Sequence, residues 1–253
     1  MGDGRTRRPA KPGLPRHAPG RPGRRDLHYA VAATSDNADI GPVPLITPCA
    51  STVIGACLVS LKDRDVLLIN SDTAGLRWGN ARQGNYAVQQ TFTPPVAGAV
   101  PESFNRGWVS IDGRYRGERF HLSSTHLETA NNPVVQETQA TEFLAGPARG
   151  RGTDIALGDF NSAADGSTTH TYAALTGRFR DAWLVNDYPG ATCCQDQKLT
   201  NPASKLAIRV DLVLSRRGAK TVEAHRVGVT PFQASPPLWP SDHAGVVATL
   251  RLH

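Results

Sequence analysis

The sequence predicts an α+β fold of packed β-sheets with helices on the outside. Three observations carry this. Short apolar runs bounded by turn residues recur along the chain, only two stretches suggest helices, and the segments between them are polar. No internal repeat is present.

Composition sets the limits. At 253 residues, 39% hydrophobic and 20% charged, the chain can bury a substantial core and has the make-up of a soluble globular protein. The net charge of +6 is localised: residues 1–25 hold eight Arg or Lys and one acid, leaving the rest one charge negative. The basic balance therefore says little about what the body binds. Residues 1–25 have almost no large apolar side chain and are expected to be a disordered Arg/Pro-rich tail, with residues 26–253 as the folded domain.

From Asp26 the elements follow in order. Tyr29–Ala33 reads as a strand and Thr34–Asn37 as a turn. Ile40 to Leu61 is uncharged, but Pro42, Pro44 and Pro48 make it strand-and-loop material, so no stable membrane insertion is expected. Val66–Ile69 follows the charged Lys62-Asp63-Arg64-Asp65 and reads as a buried strand. Residues 71–107 read as a long loop with short strands, anchored by Tyr86 and Phe92. Trp108–Ile111 and Arg119–Ser124 read as an antiparallel pair turning near Asp112-Gly113. A helix starts at Asn131-Asn132-Pro133, runs to about Leu144 and stops at Gly146-Pro147.

Asp154–Leu157 reads as a strand broken by Gly158, and Ser167 as the cap of a short helix over Thr168–Leu175. Arg209–Ser215 is a strand with Val210, Leu212 and Leu214 on one face and Asp211 and Val213 on the other. Val222–Val229 and Gly245–Leu250 read as the last strands.

The cysteines do not match a paired-knuckle zinc site. Cys49 and Cys57 are close enough in sequence to bridge, and Cys193-Cys194 lies in the polar loop 186–205, where it reads as structural or incidental. Four cysteines are too few for a disulfide scaffold. No apolar signal segment follows the basic start, so the chain as written reads as cytoplasmic, or as secreted if its true start lies upstream.

Four segments carry polar groups at or beside strand ends: Ser124-Thr125-His126-Leu127, Gly158-Asp159-Phe160-Asn161, Val210-Asp211-Leu212 and Ser241-Asp242-His243. Together and in this order, they resemble the signatures of the endonuclease/exonuclease/phosphatase superfamily, whose fold is that of DNase I-like nucleases. The resemblance covers roughly Asp26 to Leu252 and implies a four-layer α/β/β/α sandwich. It implies that His126 stabilises charge on the scissile phosphate, Asp159 handles the attacking water and Asn161 donates to a phosphate oxygen. It further implies that Asp211 orients a protonated His243, Asp242 binds metal and Arg106 contacts phosphate. The implied reaction is Mg²⁺-dependent (or Mn²⁺- or Ca²⁺-dependent) phosphoester hydrolysis by a monomer, with nucleic acid among the substrates. The residue types suit that chemistry, which needs an aligned nucleophile and positive groups around a dianionic transition state.

The family's earlier half, a strand ending in Asn and a Gln-Glu strand carrying the principal metal ligand, has no counterpart before His126. Gln136-Glu137 falls later, in the expected helix. The expectation is an N-terminally truncated fold, from a non-native reading-frame start in preference to genuine loss, with weakened metal binding and little activity. The alternative is an inactive phosphate- or nucleic-acid-binding remnant of the same fold.

Overall fold

The architecture rests on one central sheet whose strands reach far beyond the apolar runs that announce them. The structure, a computed structural model, describes residues 27–44, 58–92, 102–103 and 105–253. The expected tail and its boundary, and Cys49 and Cys57, lie outside the described residues.

Strands β1 (Tyr29–Pro44) and β2 (Leu58–Asn70) form an antiparallel hairpin. Then come β3 (Leu76–Asn85), the short pair β4 (Thr91–Phe92) and β5 (Glu102–Ser103), β6 (Gly107–Tyr115) and β7 (Glu118–His126). Helix α1 (Pro133–Ala145) leads to β8 (Thr153–Asp159), and α2 (Thr171–Thr176) to β9 (Arg180–Asp181) and a 3-10 turn at Ala182–Val185. The chain ends with β10 (Asp211–Arg216), β11 (Ala219–Val227), the pair β12 (Gln233–Ala234) and β13 (Pro237–Leu238), and β14 (Gly245–Leu252). The central sheet has the order β3-β6-β7-β8-β10-β9. Only β7 and β8 run parallel in it, because α1 carries the chain back between them.

Each face of this sheet buries its own core. Phe143 and Leu144 of α1 and Leu175 of α2 pack on Ala156, Leu212 and Leu214. Phe143 meets Phe160 edge-on, with ring centroids 5.9 Å apart. Burying such a side chain contributes roughly 1.5–3 kcal/mol. On the opposite face, Ala33, Leu67 and Ile69 of the β1–β2 hairpin cover Val109 and Ile111. A two-stranded antiparallel sheet, β11–β14, packs beside β10. The α+β class with packed sheets is therefore present, with both α-helices of the described residues meeting one face of the central sheet.

Several local expectations shift. Thr34–Asn37 continues β1 instead of turning, because cross-strand pairing satisfies its backbone and Asp36 and Asp39 meet Arg64 and Lys62 of β2 in ion pairs. Val66–Ile69 is buried on one face only: Leu67 and Ile69 point inward, Val66 and Leu68 outward. Within 71–107, β3 forms a ten-residue edge strand.

The β6–β7 turn falls at Arg116-Gly117, both at positive φ, as a two-residue hairpin turn requires. Gly113 stays in β6, where the Phe120 ring occupies the space a side chain would need. Helix α2 starts at Thr171, not Thr168. Asp165 accepts from the Ser167 N–H, while the Thr168 and Thr169 hydroxyls bond to Ala163 N and to Gln136 and Ser162, which holds this stretch in a loop. No helix among the described residues is long and apolar enough to cross a membrane.

Candidate active site

Strand register assembles this site. His126, the last residue of β7, pairs with Asp159, the last of β8, and Asp159 pairs with Asp211, the first of β10. Paired residues on adjacent strands share a face. All three side chains therefore stand in one row on the face opposite the helices. His126 Nε2 lies 3.4 Å from Asp159 Oδ2. His243 reaches the row from the loop before β14, its Nδ1 2.8 Å from Asp211 Oδ2. Donor atoms of Asp159, Asp211 and His243 all lie within 4.8 Å of one another.

Gly158 makes the row possible. It does not break the strand; β8 passes through it at φ +137°, where a Cβ would sit 1.9 Å from the Thr125 carbonyl oxygen. Only glycine permits that approach between β7 and β8. Thr125 is fixed from below, because the buried Tyr86 hydroxyl lies 2.6 Å from its Oγ1.

The electrostatics separate the two histidines. Burial and then the Arg106 guanidinium push His126 down to about 4, so it is neutral at pH 7. Arg106 Nη1 lies 3.1 Å from His126 Nδ1 and 3.0 Å from its Nε2, so the guanidinium sits against both nitrogens of a neutral ring. His243 moves the other way, up to about 9, chiefly through its hydrogen bond to Asp211. Burial, and next the Asp211 charge, raise Asp159 to about 6 despite the Asn161 N–H that bonds to it.

The remaining expected residues divide. Arg106 is half-buried beside His126, with Glu128 Oε1 3.5 Å from Nη2. Asn161 sits at positive φ, and its amide donates to Leu127 O at 2.9 Å, so one of its two protons braces the loop. Asp242 is exposed; its carboxylate accepts from Ser241 Oγ and is not among the gathered metal-type donors.

Three neighbours escaped the sequence reading. Glu128 follows His126 by two residues, and that period-2 spacing was its available signal. Asp65, half-buried on β2, is pushed up to about 6 by burial, accepts from Asn37 Nδ2 and feels the Arg106 charge. Cys194 lies at the site itself, its Sγ 3.6 Å from His243 Nε2, and is disulfide-bonded to Cys193. Nothing in the sequence signalled that contact, since 49 residues separate the partners.

No family model and no curated protein matches the chain. Solved structures do. An endonuclease/exonuclease/phosphatase family protein from Leptotrichia buccalis is 18% identical, with a TM-score of 0.51 over 90% of this chain and 73% of that one. The chain has the endonuclease/exonuclease/phosphatase fold. Two further structures with this DNase I-like fold align comparably. Bacteroides thetaiotaomicron mannosyl-6-phosphatase is 13% identical, with a TM-score of 0.52 over 88% of this chain and 77% of that one. D. rerio TDP2, solved with a single-strand DNA product, is 12% identical, with a TM-score of 0.51 over the same shares. In the endonuclease/exonuclease/phosphatase fold of this chain, the row His126–Asp159–Asp211 crosses one end of the three middle strands.

Proposed function

We propose that this chain is a phosphoester hydrolase centred on His126, Asp159, Asp211 and His243. The observation that carries the reading is the pairing of a protonated His243 on Asp211 with a neutral His126 and a raised carboxylate, Asp159, between them. In this reading, His243 presents Nε2–H and its positive charge to a phosphoryl oxygen, and Asp211 keeps that ring charged and oriented. His126 stays neutral and polar beside the phosphoryl group, with Arg106 against it as a fixed positive charge. Asp159, when ionised, accepts a proton from the attacking water and aligns it.

The donor set fits one hard divalent cation. Asp159 and Asp211 are close enough that the charge of one raises the other, a repulsion a cation would relieve. These two carboxylates would hold Mg²⁺, with waters and phosphate oxygens completing its octahedron. When bound, the ion neutralises charge on the phosphoryl oxygens. Asp242 contributes in this reading only if its exposed carboxylate swings inward.

The test is hydrolysis of a generic phosphodiester, bis(p-nitrophenyl) phosphate, with and without Mg²⁺. The expected result is slow, Mg²⁺-dependent turnover that Asp159→Ala abolishes. Turnover unaffected by Asp159→Ala would overturn the assignment.

A second reading, binding of nucleic acid without turnover, draws on a different surface. Arg77, Arg114, Arg119 and Arg151 surround a hollow of about 340 Å³ beside Trp78, and Arg82 and Arg149 line the hollow next to it. These arginines gather in a body whose sequence from residue 26 onward is one charge negative. In this reading they engage phosphates while a base stacks on Trp78. Single-stranded DNA affinity should then weaken steeply with salt, and Arg77→Glu/Arg151→Glu should flatten the slope. An unchanged slope removes the reading.

A further inference from the structure

We infer that Cys193, Cys194 and His243 form a redox-gated site for a soft or borderline cation of the Zn²⁺ type, separate in chemistry from the carboxylates next to it. The three donor atoms lie within 4.8 Å of one another. Cys194 Sγ stands 3.6 Å from His243 Nε2. Two ligands bound at about 2.3 Å (sulfur) and about 2.05 Å (nitrogen) and subtending the tetrahedral angle lie about 3.6 Å apart. The separation observed with the sulfurs still joined matches that edge.

The ring is also held as a metal-binding histidine is held. Its Nδ1 bonds to the Asp211 carboxylate at 2.8 Å, which fixes the plane and turns Nε2 toward the sulfurs. The sulfurs are held with comparable firmness. Backbone bonds from Ala244 N to Thr192 O and from Gln195 N to Asp242 O, both 2.8 Å, zip the cysteine segment to the His243 segment on either side of the pair. Cys193 additionally bridges to Ile208 and His243 as an isolated β-bridge. Cys193 and His243 are half-buried and Cys194 is exposed, so the cluster has an open side for a fourth ligand.

The gate is the disulfide. Joined to each other, the two sulfurs offer no thiolate. Reduction by a dithiol transfers two electrons and two protons to the bond, giving two thiols and leaving the dithiol as a disulfide. Cation binding then displaces the thiol protons and the His243 Nε2 proton to solvent, and thiolate and imidazole ligands suit Zn²⁺ or Cu⁺ over Mg²⁺. A cation there occupies His243 Nε2, the atom that the hydrolase reading aims at phosphate, so occupancy would silence that centre. The binding itself stands whether or not the chain hydrolyses phosphoesters.

The test uses the full chain carrying Cys49→Ser/Cys57→Ser, stripped of metal and reduced with a phosphine. Titration with Cd²⁺ should give a thiolate-to-cadmium charge-transfer band saturating at one equivalent, and Zn²⁺ should compete for it. The same protein with its disulfide intact should show no band, a comparison that needs no further substitution. Cys194→Ser should abolish the band and His243→Gln should weaken Zn²⁺ at least tenfold. Absence of the band in the reduced protein, or equal Zn²⁺ affinity in the reduced and oxidised forms, would overturn the inference.

Discussion

Replacing Asp65 with Asn should stabilise the protein at neutral pH and leave it unchanged in acid. Asp65 is half-buried on β2, accepts one hydrogen bond from Asn37 Nδ2, and is raised from 3.8 to about 6 because burial penalises its charged form. A folded-state value above the unfolded one means that folding takes up a proton between those limits. The stabilisation from that proton is fully present below about pH 4 and is lost as pH rises through about 6. A shift of about two units corresponds to roughly 3 kcal/mol, an upper bound because the side chain retains some contact with water. Asn is isosteric, carries no charge, and can accept from Asn37 through its own amide oxygen. Urea denaturation of both proteins in chelator at half-unit steps from pH 4 to pH 8 measures the difference. The stability gap should open from near zero at pH 4 toward about 3 kcal/mol above pH 7, while carboxylates common to both proteins, Asp159 among them, cancel. A gap that does not change with pH would refute the reasoning, since it would mean that Asp65 titrates alike in folded and unfolded chains.

Two further outcomes are expected. Arg209 and Asp181 form a buried ion pair, Nη1 to Oδ2 at 2.6 Å, with Tyr172 donating to the same oxygen; Asp181→Ala strands the guanidinium and should cost about 3–5 kcal/mol in urea unfolding, whereas a loss below about 1 kcal/mol would show that the pair is dispensable. In metal-free protein, proton NMR should find His126 titrating near pH 4 and His243 near pH 9, with Asp211→Asn returning His243 toward 6.5; two histidines titrating together near 6.5 would contradict the site geometry.

The candidate site was legible because its residues end strands whose apolar cores are readable one at a time. Val210, Leu212 and Leu214 alternate with Asp211 and Val213, and the structure buries all three, Leu212 and Leu214 under the helices. The boundaries were less legible. Gly158 reads as a strand breaker, yet β8 runs through it, because pairing to β7 and β10 on both sides compensates for its weak strand preference. Asp112-Gly113 has the composition of a hairpin turn, but Phe120 needs the space above Gly113, and Arg116-Gly117 takes the turn instead.

Local pattern was thus enough to mark which polar groups stand at strand ends, and their order along the chain was enough to suggest phosphate chemistry. It could not supply anything set by contact between distant segments. The neutral state of His126 depends on Arg106, 20 residues earlier, and on burial that no periodicity reports. The charged state of His243 depends on Asp211, 32 residues earlier. The Cys193-Cys194 pair reads as incidental in its loop, and only the backbone pairing of the folded chain brings that loop against His243. Periodicity reports which way a side chain faces; protonation and coordination depend on what it faces, and only the folded chain determines that.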